Sequence, residues 1–326
     1  MSVYTTIEQD ELEAFLLNYR VGDLVDYTGI SDGIENTNYF VNTSQGQYVL
    51  TIFEELSAQE LPYFLDLMAF LAEHEVPSAH PIEDKKGKFL RTLKDKPAAL
   101  VIRLTGKGIN EPNAEQCRAL GDSLGKLHAV SHQFTGHRDN PRGPTWWHEM
   151  SVKLDGKLSA REREILDTEM SFQNAHRRDE LPTGVIHADL FRDNALFDEN
   201  KLTGIIDFYY ACNDVQLYDL AITVNDWCSN PDGSLDTARV SAMLASYVKK
   251  RPLLKEEAQA WPMMLRAAAL RFWLSRLHDK HFPKEGEMTH IKDPDVFKKI
   301  LINRIENSDS YLYTITEIES TVLFSI

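Results

Sequence analysis

The sequence predicts an α+β fold in two lobes, a small antiparallel-sheet lobe followed by a mostly helical one. Residues 24–53 break into short runs rich in Val, Tyr, Thr, Ile and Phe, separated by turn residues, which is the signature of a strand meander. Beyond residue 112 the apolar side chains recur at three and four, the spacing of helices. Between these regions Thr105-Gly106-Lys107-Gly108-Ile109-Asn110-Glu111-Pro112 carries two glycines and a proline, which no regular element tolerates.

Taken in order, Thr6 can cap a first helix whose positions Leu12, Phe15, Leu16 and Tyr19 share a face, ending near Gly22. Strands are expected over 24–30, 36–42 and 47–53, parted by Ser31-Asp32-Gly33 and Ser44-Gln45-Gly46. A helix follows from Leu61 to His74, with Leu61, Phe64, Leu65, Met68 and Leu71 on one stripe. Strands near 79–83, 88–93 and 98–104 complete the sheet. The domain reading is therefore 1–104 for the N-terminal lobe, 105–112 for a hinge and 113–326 for the helical lobe. In that second lobe helices are expected over 113–131, 158–176, 215–229, 235–250, 255–280 and 294–307.

Composition sets limits on partners. With 326 residues and 43% hydrophobic content the chain can build a core in each of two lobes. The 35 Lys and Arg against 50 Asp and Glu leave a net charge of −15, which repels nucleic acid and anionic membrane surfaces. Cys117, Cys212 and Cys228 show no metal-ligand spacing and are too few for a disulfide framework. No apolar run approaches the roughly 18 residues that span a bilayer, so a cytoplasmic setting is expected.

The chemistry lies in residues 187–207. His187-Ala188-Asp189-Leu190-Phe191-Arg192-Asp193-Asn194 follows a short apolar strand containing Val185 and Ile186, and Gly204-Ile205-Ile206-Asp207-Phe208 closes a hairpin turning at Asp198-Glu199-Asn200-Lys201. Asp189 and Asn194 sit five apart in a loop, and the returning strand of the hairpin carries Asp207 back toward Asn194. Phosphoryl transfer needs a carboxylate to accept the proton of the attacking hydroxyl and oxygen ligands for Mg²⁺ on the nucleotide phosphates. The expected roles are Asp189 as catalytic base, Asn194 and Asp207 as magnesium ligands, and His187 as a packing residue of the loop. Asp219, early in the next helix, reads as a cap or an anchor for the loop, in preference to a third metal ligand. These residues alone point to an ATP-dependent kinase of a small molecule.

The chain resembles the aminoglycoside phosphotransferase and choline kinase group, which is similar in fold to protein kinases. Within that group the stretches Ser31-Asp32-Gly33-Ile34-Glu35-Asn36-Thr37-Asn38-Tyr39, Tyr48-Val49-Leu50-Thr51, Phe64-Leu65-Asp66-Leu67-Met68 and Arg271-Phe272-Trp273-Leu274-Ser275-Arg276 resemble the homoserine kinases, and the likeness spans residues 1 to about 310. It implies ATP and Mg²⁺ as cofactors and L-homoserine as the small-molecule substrate, phosphorylated on its side-chain hydroxyl in a step toward threonine. Choline, ethanolamine, methylthioribose or an aminoglycoside as acceptor, and a nucleotide-binding pseudokinase, remain the alternatives at this point; intact Asp189, Asn194 and Asp207 oppose the last.

Two departures from the general kinase pattern stand out. Only Gly33 is available in the loop that covers the phosphates, leaving Asn36 and Asn38 as its polar side chains, and the third strand has Thr51 where a lysine ordinarily meets the phosphates. Either Arg103 supplies the missing cation or magnesium carries more of the charge. Homoserine, a zwitterion, calls for a cation and a carboxylate in its site. Arg271 and Arg276 are expected for its carboxylate, Asp32 or else Asp226 for its ammonium, and Trp227 and Trp273 either wall the pocket or fill the core.

Overall fold

Burial alternates along residues 37–43, so that successive side chains meet opposite faces of one sheet. The computed structural model describes residues 4–30, 36–176, 180–283 and 292–312. Contacts divide the chain into two units, Met1–Gly106 with Thr203–Tyr209, and Lys107–Leu202 with Tyr210–Ile326.

The first unit runs α1 (Gln9–Leu16), β1 (Leu24–Gly29), β2 (Asn36–Thr43), β3 (Gly46–Phe53), α2 (Leu61–Glu73), β4 (Leu90–Leu93) and β5 (Lys96–Ile102). The five strands form one antiparallel sheet in the order β1-β2-β3-β5-β4. Tyr48, Leu50 and Ile52 point to one face and pack with Leu12, Phe15 and Leu16 of α1. Phe53 belongs to the other face, with Leu61, Phe64 and Leu65 of α2. The first helix is capped by Glu8, whose backbone N–H is held by Glu11 Oε2 at 2.8 Å. Thr6 is two residues too early for that role. The strand expected at 79–83 reduces to a single bridge, Pro81 to Val101, because Pro81 lacks the N–H a ladder needs.

The second unit contains α3 (Ala114–Val130), α4 (Pro144–Lys153), α5 (Ala160–His176), β6 (Thr183–Ile186), β7 (Ala195–Asp198), the start of β8 (Lys201–Ile205), β9 (Cys212–Val215), α6 (Gln216–Trp227), α7 (Thr237–Lys250), α8 (Lys255–His281) and α9 (Pro294–Glu306). Sequence reasoning missed α4, although Pro144 at its first turn is a start signal. It also missed the pairing of β6 with β9, a contact between segments about 30 residues apart that no local pattern reports. Gly121 lets α3 approach α7 closely: a Cβ there would lie 2.3 Å from the Met243 carbonyl oxygen. The same contact brings Ser246 Oγ to donate to Arg118 O at 2.7 Å.

Residues 107–113, at the end of the expected hinge, are stitched to the motif hairpin. Lys107 and Phe197 exchange backbone hydrogen bonds at 3.0 and 2.9 Å, and Arg192 Nη1 donates to Asn110 O at 2.7 Å. Among the described residues no helix is long and apolar enough to cross a membrane.

Candidate active site

The loop 187–194 is held in place mainly by α6. Asp219, fully buried in the first turn of that helix, accepts the backbone N–H of His187 at Oδ2 and of Ala188 at Oδ1, each at 2.8 Å. Its Oδ2 also meets His128 Nε2 at 3.1 Å, and His128 Nδ1 meets the Tyr247 hydroxyl at 2.8 Å. Burial drives the His128 pKa down although Asp219 pulls it up. The ring is then neutral, with Nε2–H donating to Asp219 and Nδ1 accepting from Tyr247. Burial would raise the Asp219 pKa, but His128 and the His187 N–H outweigh it and hold the carboxyl below its usual value. Two further tethers come from the end of α6. Trp227 Nε1 donates to Leu190 O at 3.1 Å, and Asp226 Oδ2 accepts from Arg192 N at 2.9 Å and Nε at 3.1 Å.

This anchoring holds Ala188 in a backbone conformation that an L residue rarely adopts. Ala188, Glu199 and Asp207 account for three of the six non-glycine residues with positive φ among those described, with Ala188 and Asp207 both at 63°. Such conformations cost about 1–3 kcal/mol each and persist where surrounding contacts over-determine them.

Asp189 emerges from the loop with both carboxylate oxygens engaged. Asn194 Nδ2 donates to Asp189 O at 2.9 Å and to Oδ2 at 3.2 Å, and Arg271 Nη1 of α8 stands 3.6 Å from Oδ1. Asp189 N donates to His187 Nδ1 at 3.3 Å, and His187 is fully buried. With the Asn194 amide nitrogen committed to Asp189, its carbonyl oxygen is the atom left for a cation.

Asp207 lies in the first unit, beside the sheet face that carries Thr51. The Tyr209 hydroxyl hydrogen-bonds with Thr51, and its pKa is raised by burial and by the nearby Asp207 carboxylate. Thr51 Oγ1 in turn donates to Asn38 Oδ1 at 2.7 Å, in register across β2 and β3, while Asn36 Oδ1 accepts from Glu54 N at 3.4 Å. Phe40 shares the Asn38 face by alternation. The Arg103 guanidinium lies 3.9 Å from its ring centroid and makes no ion pair among the described residues. Asp32 and Gly33 lie outside the described residues.

Of the other expected residues, Arg276 and Asp226 line a cavity of about 770 Å³ in the second unit. Trp227 and Trp273 are both fully buried and fill the core. Neither His128 nor Arg192 was given a role from sequence. A histidine in the last turn of α3, 91 residues from its carboxylate partner, leaves no local signal.

Asn194 and Asp207 offer one neutral and one anionic oxygen donor. Among the described residues no group of three or more His, Cys, Asp or Glu side chains is placed to hold a metal alone. Each of the two residues is an oxygen donor of the kind a hard cation such as Mg²⁺ takes.

The chain is similar to known proteins over most of its length. The profile of the Phosphotransferase enzyme family matches residues 26–253. The chain is 48% identical over 312 residues to the homoserine kinase of Methylobacillus flagellatus, covering 96% of this chain and 98% of that protein. It is 44% identical over 303 residues to the homoserine kinase of Neisseria meningitidis serogroup B, covering 93% and 99%. Among solved structures it resembles the amicoumacin kinase hAmiN in complex with AMP-PNP, Ca²⁺ and Ami, with a TM-score of 0.68, 18% identity and 94% of each chain covered. The fold is the kinase-like phosphotransferase fold, with an antiparallel-sheet lobe and a helical lobe.

Proposed function

The chain belongs to the Phosphotransferase enzyme family, and on that premise we propose that it is a homoserine kinase, transferring the γ-phosphoryl group of ATP to the side-chain hydroxyl of L-homoserine in a cytoplasmic step toward threonine. The observation that carries the reading is the 48% identity, over nearly the whole of both chains, to a homoserine kinase. The anchored Asp189 supports it with chemistry.

In this reading Asp189 accepts the hydroxyl proton while the acceptor oxygen forms its bond to the γ-phosphorus and the bond from that phosphorus to the β,γ-bridging oxygen breaks, releasing ADP. Asn194 keeps Oδ2 in place through its amide hydrogen. The Asn194 carbonyl and the Asp207 carboxylate would hold Mg²⁺, which supplies neutralisation of the phosphate charge. Gly33, Asn36, Asn38 and Thr51 serve the nucleotide, with Arg103 as the cation of that lobe in place of a third-strand lysine. The charged ends of the acceptor fall to the arginines of α8 and to Asp226 or Asp32. Residues 105–112 are the proposed hinge.

The test is ADP release with ATP, Mg²⁺ and a panel of L-homoserine, L-serine, choline, ethanolamine, methylthioribose and an aminoglycoside. Turnover with L-homoserine well above every other acceptor is expected. Preference for another member, or no turnover with any, overturns the assignment.

A further inference from the structure

Tyr247 of α7 and His128 of α3 are both buried, and the Tyr247 ring stands edge-on to the imidazole with centroids 5.6 Å apart and planes at 80°. Among the described residues His128 Nδ1, at 2.8 Å, is the only hydrogen-bond partner of the Tyr247 hydroxyl. A phenylalanine would fill the same space without burying a polar group, which costs free energy unless it is bonded. Packing alone does not call for the hydroxyl.

The direction of that bond follows from the partners beyond it. Asp219 Oδ2 accepts the His187 N–H at 2.8 Å and stands 3.1 Å from His128 Nε2, so Nε2 carries the ring proton and Nδ1 is left with a lone pair. Burial raises the Tyr247 pKa, so the hydroxyl keeps its proton and donates it to Nδ1. Turning the imidazole about its Cβ–Cγ bond would carry Nε2 away from Oδ2 and loosen the carboxylate that holds Ala188 at φ 63°. The rest of His128 is already fixed. Its carbonyl, one of the last four of α3, accepts from Gln216 Nε2 at 2.9 Å, while Gln216 Oε1 accepts from Arg251 Nε at 2.8 Å and Arg251 Nη1 meets the buried Glu257 at 2.7 Å. One turn earlier in α3, Gly125 admits α7: a Cβ there would lie 2.8 Å from Tyr247 O and 3.2 Å from Tyr247 Cα. The ring is the part of His128 that the Tyr247 hydroxyl holds.

We propose that Tyr247 is a positioning residue for phosphoryl transfer: by donating to His128 Nδ1 it fixes the ring that steadies Asp219, and through Asp219 the loop that presents Asp189, without touching either substrate. The proposal rests on the kinase reading for the role of Asp189.

Tyr247→Phe removes the hydroxyl and little else. It is expected to lower kcat by about 10- to 100-fold, the scale on which a small displacement of a catalytic group is felt, at little-changed KM for ATP and L-homoserine. Two spectroscopic readouts that a packing role would not move accompany the kinetics. In nitrogen-15 spectra of the histidines, with His128 assigned by its loss in His128→Leu, the parent should show the Nε2–H form with a hydrogen-bonded Nδ1, and the variant should lose the Nδ1 signature. Amide hydrogen exchange at His187 and Ala188 should quicken in the variant. A double-mutant cycle completes the test: in the His128→Leu background Tyr247→Phe should lower kcat no further. Should His128→Leu fold poorly, the kinetics and amide exchange of Tyr247→Phe decide alone. Parent-like kcat in Tyr247→Phe, a defect chiefly in either KM, unchanged exchange at His187 and Ala188, or additive losses in the cycle overturns the proposal. A parent protein that releases no ADP with any acceptor defeats the kinase reading by itself, and the amide exchange then still tells whether Tyr247 holds the loop.

Discussion

Asp219 Oδ1 accepts the backbone N–H of Ala188 at 2.8 Å, and Ala188 is the residue held at φ 63° immediately before Asp189, the proposed base. One buried carboxylate thereby fixes a strained peptide, its neighbour His187 and the ring of His128. Asp219→Asn keeps the shape but replaces one acceptor oxygen by a donor, leaving a buried N–H unmatched. A loss of about 1–3 kcal/mol in unfolding free energy is expected, together with reduced kcat. Urea denaturation and turnover measured side by side check it, and a variant with wild-type midpoint and kcat would contradict the anchoring role.

The same cluster sets an acid limit. The folded His128 pKa is lowered from 6.5 by burial, so below that pH the unfolded chain binds a proton the folded chain refuses. Its stability contribution is complete above about 6.5 and is lost as pH falls toward the depressed folded value. Asp219, lowered from 3.8, acts in the same direction further into acid. The melting temperature should drop between pH 7 and 5, and His128→Gln should flatten that slope. Parallel curves for parent and variant would remove His128 as the cause.

Asp189 and Asp207 are expected to fail in different ways. Asp189→Asn should leave nucleotide affinity nearly intact and cut turnover by about 10²- to 10⁴-fold, the range for losing general-base help. Asp207→Asn should weaken the Mg²⁺-dependent part of nucleotide binding. Fluorescent-nucleotide titrations with and without Mg²⁺ distinguish them; identical effects of the two substitutions would refute the division of roles.

Away from the site, Gly121→Ala tests the α3–α7 contact. The added Cβ meets the Met243 carbonyl oxygen at 2.3 Å and Ser246 Oγ at 2.5 Å, and backbone cannot yield as a side chain does. Overpacking should cost about 1–3 kcal/mol, seen as a lower melting temperature. An unchanged value would mean that the helices separate freely.

The strands of the first unit were legible because alternation and turn residues are local signals, and β2 and β3 lie within one residue of the expected 36–42 and 47–53. The cap at Glu8, the single bridge at Pro81 and helix α4 were misjudged or missed at the level of one or two residues' competing preferences. In the site, Asp189, Asn194 and Asp207 were proposed from their spacing, and the anchoring role preferred for Asp219 from its place in α6 agrees with its bonds to His187 N and Ala188 N.

What the sequence by itself determined is the order of elements and the donor types of the motif, since both depend on neighbours within a few residues. The tertiary structure alone decided which guanidinium meets Asp189, because Arg271 and Arg276 look alike in sequence and differ only in where α8 turns them. It alone joined His128 to Asp219 and Trp227 to Leu190, pairs 91 and 37 residues apart. Partners that distant are selected by packing of whole helices, a cooperative outcome that no window of residues contains.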